Sequence, residues 1–406
     1  MIGARAALIA AMLAASIVAS ASRAPAQPND AADVAEALRP GVTAYRTGNL
    51  PVAEAAFRSL AAAGNADAIA WLGVLLLDRG ATKEGVLWLQ RAVDGGSIEG
   101  THRLALAFAE GAGTQRNDAR AVELFEKAAE ADHKRAQLNL GTLYFRGQGV
   151  PRDLIQARSW LEKAASDGDP YALYALGRAM SENLGPAIAD PVRAADLYRH
   201  AAEKGHPFAA LRYALALVEG NGAKRDQATA QRWLVYLNDN GFPEAALALG
   251  DISARTPASR DKAANDKAVQ IAVAWYESSA NAGVASAQFK LANAYFAGVG
   301  VERDASQAQR WYARAAQQGL PEAQHALGVW LIGGVAGQQD PVEGLKWLVL
   351  AERNGHPDSK TVLAKALEKT SEADRWQAEA LAARFMPMLE RPIDEGAPRL
   401  IAPLKL

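Results

Sequence analysis

The sequence predicts an all-α chain, a right-handed α-solenoid of helix-turn-helix repeats with a period of about 36 residues. Three observations predict it. The stretch WYARAAQQGLPEAQHALG at 311–328 recurs in the same frame as WLQRAVDGGSIEGTHRLA at 88–105, LFEKAAEADHKRAQLNLG at 124–141 and WLEKAASDGDPYALYALG at 160–177. Half of the 406 residues are hydrophobic, helix formers dominate, and runs of Val, Ile, Thr and aromatic residues that mark strands are missing. Two sets of anchor residues then set the length of each half of the repeat.

The first set is Ala68, Gly100, Ala136, Ala172, Ala209, Ala245, Ala287, Ala323 and Ser359; the second is Trp88, Leu124, Trp160, Leu197, Trp233, Trp275, Trp311 and Trp347. Every second-set anchor lies 12 residues before the next first-set anchor, whereas the reverse interval runs from 20 to 30. A constant interval is expected across a connection held by close packing, and a variable one across a turn that tolerates insertion. The turn from helix B to the next helix A is therefore the rigid one.

From the N-terminus, one Arg precedes an apolar run over 6–19 and small residues follow to Ala26, a pattern that reads as a secretory signal peptide over 1–26, with Ala21 as a second cleavage point. That expectation places the mature chain in the periplasm or outside the cell, without stable membrane insertion after cleavage. Residues 33–64, DVAEALRPGVTAYRTGNLPVAEAAFRSLAAAG, resemble a tetratricopeptide-like first unit, and 65–365 read as the repeats, 366–386 as a C-terminal capping helix and 387–406 as a Pro-rich tail. Loss of 1–26 removes Arg5 and Arg23 from 44 basic residues against 45 acidic ones, leaving a formal charge of −3. No basic excess favours nucleic acid. There is no cysteine, so disulfides contribute nothing and packing must hold the fold.

Within each repeat, helix B is expected to end at a glycine with proline two residues on, as at Gly168 and Pro170, Gly205 and Pro207, or Gly319 and Pro321. The looser turns read FRGQGVPRD at 145, VEGNGAKRD at 218 and FAGVGVERD at 296, each with an aspartate placed to cap helix B. Gly73, Gly141, Gly177, Gly250 and Gly328 fall mid-helix, where glycine costs about 1 kcal/mol relative to alanine, so a closely approaching neighbour is expected at each.

The stretch AQLNLGTLYFRGQGVPRDLIQARSWLEKAASDG resembles the Sel-one-like repeat of the tetratricopeptide superfamily, and the resemblance extends over about 65–365. Departures are Ala105, Ala214, Ala292 and Ala364 in place of glycine, the turn SENLGPAIADP, and six extra residues around TPASRDKAANDK. The resemblance implies protein-protein interaction along a concave face lined by helices A.

The G-x-G turns follow a helix and lack the third glycine of a dinucleotide loop. His206 and His356 occupy one turn slot, and His102, His133, His200 and His325 are scattered over separate units without a carboxylate at ligand spacing, so no metal and no cofactor are expected. GGSIEG at 95 has Glu99 where a nucleophile elbow needs glycine. Enzymatic activity is therefore not expected.

Offsets 2, 6, 9 and 10 from each first-set anchor fall on one side of helix A. That side carries His102, Glu110, Thr142, Glu182, Leu211 and Glu219 together with Phe145, Arg146, Tyr174, Arg178, Asp251, Arg255, Phe289, Asn293, Phe296 and His325. The last ten form the candidate binding groove, with aromatics to supply buried area and arginines to pair carboxylates. The expected partner is an envelope protein or an extended peptide; oligomeric state is left open. A peptidoglycan or cell-wall carbohydrate binder, or a weak hydrolase, is the alternative and would need two facing carboxylates among Glu110, Glu182, Glu219 and Asp251.

Overall fold

The computed structural model describes residues 36–181, 189–255, 262–335, 337, 339–390 and 404. The signal-peptide reading of 1–26, the turn around Glu182 and all but the first few residues of the tail lie outside them.

Twenty α-helices and no strand occur among the described residues. They alternate as helix A and helix B of successive hairpins: α1 (Arg39–Arg46) and α2 (Leu50–Ala62), α3 (Ala66–Asp78) and α4 (Thr82–Asp94), α5 (Ile98–Glu110) and α6 (Asp118–Glu130), α7 (Lys134–Arg146) and α8 (Leu154–Ala164), α9 (Pro170–Ser181) and α10 (Pro191–Glu203). Next come α11 (Pro207–Glu219) and α12 (Gln227–Asp239), α13 (Pro243–Ala254) and α14 (Lys262–Asn281), α15 (Ala285–Ala297) and α16 (Ala305–Gln317), α17 (Pro321–Gly333) and α18 (Pro341–Arg353), and α19 (Ser359–Glu368) and α20 (Glu372–Arg384). The architecture is the expected helix-turn-helix solenoid. The chain divides into two compact units, the first holding α1–α11 and the second α12–α20.

In the first unit Phe57, Leu89, Leu104, Phe125 and Leu140 are fully buried between successive hairpins, and Leu161, Leu176, Met180 and Tyr198 continue that core toward α11. In the second unit Leu291, Tyr312, Trp330 and Leu348 play the same part. The alanine anchors are wholly buried, from Ala68 to Ala323, because each sits where two helices come closest and any larger group would push them apart.

The turns follow the expected chemistry. Gly168 takes the left-handed conformation, φ 70°, after α8, and Pro170, Pro207, Pro243 and Pro321 each open the following helix. Pro357 departs from this pattern, since α19 begins at Ser359. Asp153, Asp226 and Asp304 cap α8, α12 and α16 by accepting backbone N–H bonds at 2.9–3.0 Å. The second glycine of each G-x-G turn has a packing reason: a Cβ at Gly149 would lie 2.5 Å from the carbonyl oxygen of Asp118 at the start of the preceding helix B. Mid-helix glycines meet their helix B partner in the same way, with a Cβ at Gly177 falling 2.7 Å from the Tyr198 ring.

Candidate functional site

The slot three residues before the first-set anchors from Ala68 to Ala323 is the N-cap of helix A. Asn65, Ser97, His133, Asp169 and His206 fill it, and each accepts a backbone N–H from the first turn: Asn65 Oδ1 from Ala68 at 2.9 Å, Ser97 Oγ from Gly100 at 2.8 Å, Asp169 Oδ1 from Ala172 at 2.9 Å, His133 Nδ1 from Ala136 and His206 Nδ1 from Ala209 at 3.2 Å. The capping histidines do more than cap, because each stacks on the offset-2 residue of the previous helix A. His102 and His133 lie with ring centroids 4.5 Å apart, and Tyr174 and His206 at 4.4 Å. His356, three residues before Ser359, stacks on His325 at 4.1 Å.

These stacks bear on two of the candidate groove residues, Tyr174 and His325, and on His102 from the same side of helix A. His102 is 2% exposed and Tyr174 4% exposed, so both are interior contacts between hairpins. His325 is half-buried and its Nδ1 lies 2.9 Å from Ser359 Oγ, turning it toward the next hairpin. A purely helical projection could not show this, since an offset-2 side chain lies beside the N-cap of the following helix A.

Two more groove residues are held by tyrosines of helix B. Asp251 accepts the Tyr276 hydroxyl at 2.8 Å and pairs with Lys290 at 2.9 Å; Asn293 Oδ1 accepts the Tyr312 hydroxyl at 2.5 Å. Burial, and at Tyr276 also the Asp251 hydrogen bond and charge, keeps both phenols protonated: Tyr276 is pushed well up and Tyr312 to about 12. Phe289 is half-buried against Tyr312, at 5.8 Å.

Phe145, Arg146 and Arg178 are half-buried and Arg255 is exposed, while Phe296 is 41% exposed with an edge-to-face contact to Trp330. A feature absent from the sequence reading links two of them. Arg152 lies 5.8 Å from the Phe145 ring and Arg303 5.9 Å from the Phe296 ring, and Arg152 Nε also donates to the Phe145 carbonyl at 3.0 Å. The same Phe–Arg pair, seven residues apart across the A–B turn, occurs once in each unit. Its signal was legible in the F-x-G-x-G-V-x-R-D spelling shared by both turns. That turn offers little to phosphate, since the Asp304 carboxylate already takes the Ser306 and Gln307 N–H groups at the start of α16.

One cluster of potential metal ligands was also missed. Glu99, His102 and His133 each place a ligand-capable atom within 4.8 Å of the other two, because the fold carries the capping His133 over the start of α5. Their own bonds close the cluster. With His133 Nδ1 accepting a backbone N–H, its proton sits on Nε2, 3.0 Å from Glu99 Oε2, and Arg103 takes the other Glu99 oxygen at 2.5 Å. Burial works against the Glu99 charge, but Arg103 and the His133 hydrogen bond outweigh it and hold the carboxyl well below its usual range. Burial, then the neighbouring His133, keeps His102 neutral.

Comparison with known proteins decides the family. The Sel1 repeat model matches residues 98–133, 134–169, 170–206, 207–236, 266–284, 285–320 and 321–356. The chain belongs to the Sel1 repeat family. A Sel1 repeat protein from Oxalobacter formigenes of known structure is similar at 28% identity with a TM-score of 0.60, over 76% of this chain and 89% of that one. The chitin synthase regulator SKT5 of Saccharomyces cerevisiae is 30% identical over 238 residues, 56% of this chain and 33% of the relative. Chitin synthase regulatory factor 3 of Schizosaccharomyces pombe is 38% identical over 92 residues, 22% of this chain and 10% of the relative. The Sel1 chain thus spans a third or less of the length of these curated relatives.

The relatives also correct one expectation. The periplasmic or secreted location read from 1–26 does not stand, because the matching curated proteins are chitin synthase regulators of two yeasts, and no signal peptide is shown. Among the described residues no helix is long and apolar enough to cross a membrane.

Proposed function

We propose that this Sel1-repeat chain is a protein-interaction scaffold that regulates a partner by holding a peptide or surface segment against the A–B turn face. The observation that carries the reading is the repeated Phe–Arg pair, Phe145 with Arg152 and Phe296 with Arg303. The caps, stacks and tyrosine bonds consume His102, Tyr174, Asp251, Asn293 and His325, whereas each Phe–Arg pair presents an aromatic edge and a guanidinium side by side. That combination anchors interfaces, because the ring supplies area at little entropic cost and the guanidinium pairs carboxylates in a planar geometry. Phe145, Arg146 and Arg178 in the first unit, and Arg255, Phe289 and Phe296 in the second, are the residues assigned to binding. Likeness to regulators of a polysaccharide synthase supports a regulated enzyme as the partner class.

The test is an affinity capture from host extract with the full chain, beside the Phe145→Ala/Phe296→Ala variant, with purified cell-wall polysaccharide as a parallel bait. A protein retained by the wild type and lost by a variant of unchanged helicity is expected. Retention on polysaccharide with no protein enriched would contradict the reading. The carbohydrate-hydrolase alternative gains no support from Asp251, already engaged by Tyr276 and Lys290, and Glu182 lies outside the described residues.

A further inference from the structure

Beyond the last helix the chain does not leave the second unit at once. Residues 387–390 run as a strap across the junction of α15 and α16, where the N-terminal turn of one helix meets the C-terminal turn of the other. The Met388 N–H donates to the Gln317 carbonyl at 2.9 Å, satisfying one of the C-terminal carbonyls that α16 leaves without an intrahelical partner. The Glu390 carboxylate accepts two bonds from Arg314, Nε at 2.9 Å and Nη2 at 2.6 Å, and a third from Gln288 Nε2 at 2.9 Å. Its own N–H reaches Gln318 Oε1 at 3.3 Å.

The receptor side of these contacts is built from within. Gln288 is fully buried; its amide nitrogen also donates to the Ala280 carbonyl at 3.2 Å and its oxygen accepts from Gln318 at 2.9 Å. Arg314 is positioned over the Trp311 ring, 4.5 Å from its centroid. The result is a preset socket for a carboxylate with a backbone acceptor one step away.

On α7 the same position takes a local carboxylate instead. The buried Gln137 also donates to the helix B carbonyl before it, Ala129 at 3.1 Å, and its second bond goes to Asp132 at 3.0 Å. Asp132 sits where glycine is the rule and holds φ 62°, an uncommon conformation for a side chain other than glycine. The corresponding residue before α15 is Gly283, so this turn offers no carboxylate of its own, and Glu390 supplies one from 102 residues away.

We propose that the α15–α16 edge is a docking site for an extended peptide bearing a carboxylate side chain, and that the strap occupies it as a self-ligand. Beside these polar contacts only Pro387 of the strap lies against the unit, at the Gly319 turn, since Met388 is 72% and Leu389 52% exposed. A partner segment with the same spacing, a backbone N–H two residues before a Glu, can use every one of these contacts and add apolar burial that the strap forgoes. The tethered strap competes at high effective concentration, so the free chain is self-occluded. With the scaffold reading it shares only the peptide nature of the ligand; it uses none of the Phe–Arg residues.

The experiment is fluorescence anisotropy of a labelled FMPMLERP peptide, a copy of residues 385–392, against the full chain. Glu390→Gln is expected to bind this peptide at least about tenfold more tightly than wild type, because the competing carboxylate is gone. Adding Arg314→Gln should abolish the gain; Arg314 is 38% exposed, and circular dichroism checks that the helices persist. The same peptide with Gln in place of its Glu should lose binding to an unaltered Glu390→Gln chain, a comparison independent of any folding defect. Equal affinity for wild type and Glu390→Gln, or binding that survives either loss of charge, would overturn the proposal. Loss of turn-face binding in the Phe145→Ala/Phe296→Ala chain leaves this experiment unaffected.

Discussion

The junctions into α7 and α11 in the first unit differ from those into α15 and α17 in the second, although all four occupy the same place in the repeat. The first two are capped by His133 and His206, whose rings stack on the preceding helix A. The other two carry Val284 and Leu320, which make no side-chain cap bond. At these two junctions no stack replaces the cap, although His325 and His356 still stack at the junction into α19, and within their own hairpins the helix B residues Tyr276 and Tyr312 reach Asp251 and Asn293. Stacked imidazoles thus join one hairpin to the next at some junctions, while phenols tie helix B to helix A inside a hairpin, Tyr198 to Ser181 as well as Tyr276 to Asp251 and Tyr312 to Asn293. Residue chemistry is free to vary where backbone geometry is not, and the reactive side chains along this solenoid serve mainly as clamps.

His206→Ala should produce the largest effect. It removes a cap and a stacking partner and leaves a cavity in a fully buried site, costing about 2–4 kcal/mol of local stability. Hydrogen exchange should show lost protection centred on α9 to α11, whereas Leu320→Ala, at a partly exposed position, should cost about half as much in α17. Equal losses at both sites would erase the contrast.

Gly149→Ala comes next. It places a Cβ against the Asp118 carbonyl at a left-handed φ of 74°, and a cost of about 2 kcal/mol is expected, read as a lowered urea midpoint. Acid should then separate the two kinds of contact. Burial pushes His206 down to about 3 from an ordinary 6.5, so between those values the unfolded chain binds a proton that the folded one does not. The neutral ring's contribution is complete above about pH 6.5 and is lost as pH falls toward 3. His102, held low by burial and by His133, has the same sign. Amide protection at the α7 and α11 junctions should fall over that window, while the α13–α14 and α15–α16 hairpins, tied by phenols that stay protonated, should hold.

Tyr312→Phe gives the smallest effect, about 1 kcal/mol, from one lost hydroxyl bond to the half-exposed Asn293. Tyr276→Phe should match it, and double substitution should be additive because the two contacts lie in different hairpins.

Much of this fold was legible before any coordinates. The constant interval of 12 marked the rigid turn, and the aspartates of the looser turns announced the helix B caps that Asp153, Asp226 and Asp304 provide. The candidate surface was legible only in part, for a physical reason. A helical projection ranks side chains around one axis, but His102, Tyr174 and His325 are claimed by a neighbour 31 to 34 residues later in the chain, and Asp251 and Asn293 by tyrosines of the partner helix. The cap slot itself was readable, since His133 and His206 both stand three residues before an anchor. Glu390 was not, because nothing in its local spelling indicates that it completes a socket centred on Gln288.

The most direct measurement pairs partner affinity with thermal stability for two variants made side by side. Clamp substitution at His206→Ala should lower the melting temperature and leave affinity unchanged once the chain is folded, and Phe145→Ala/Phe296→Ala should leave the melting temperature within a degree or two of wild type and abolish capture. Should the phenylalanine variant retain its partner while the folded clamp variant loses it, the stacked histidines and not the Phe–Arg turns would be the binding surface.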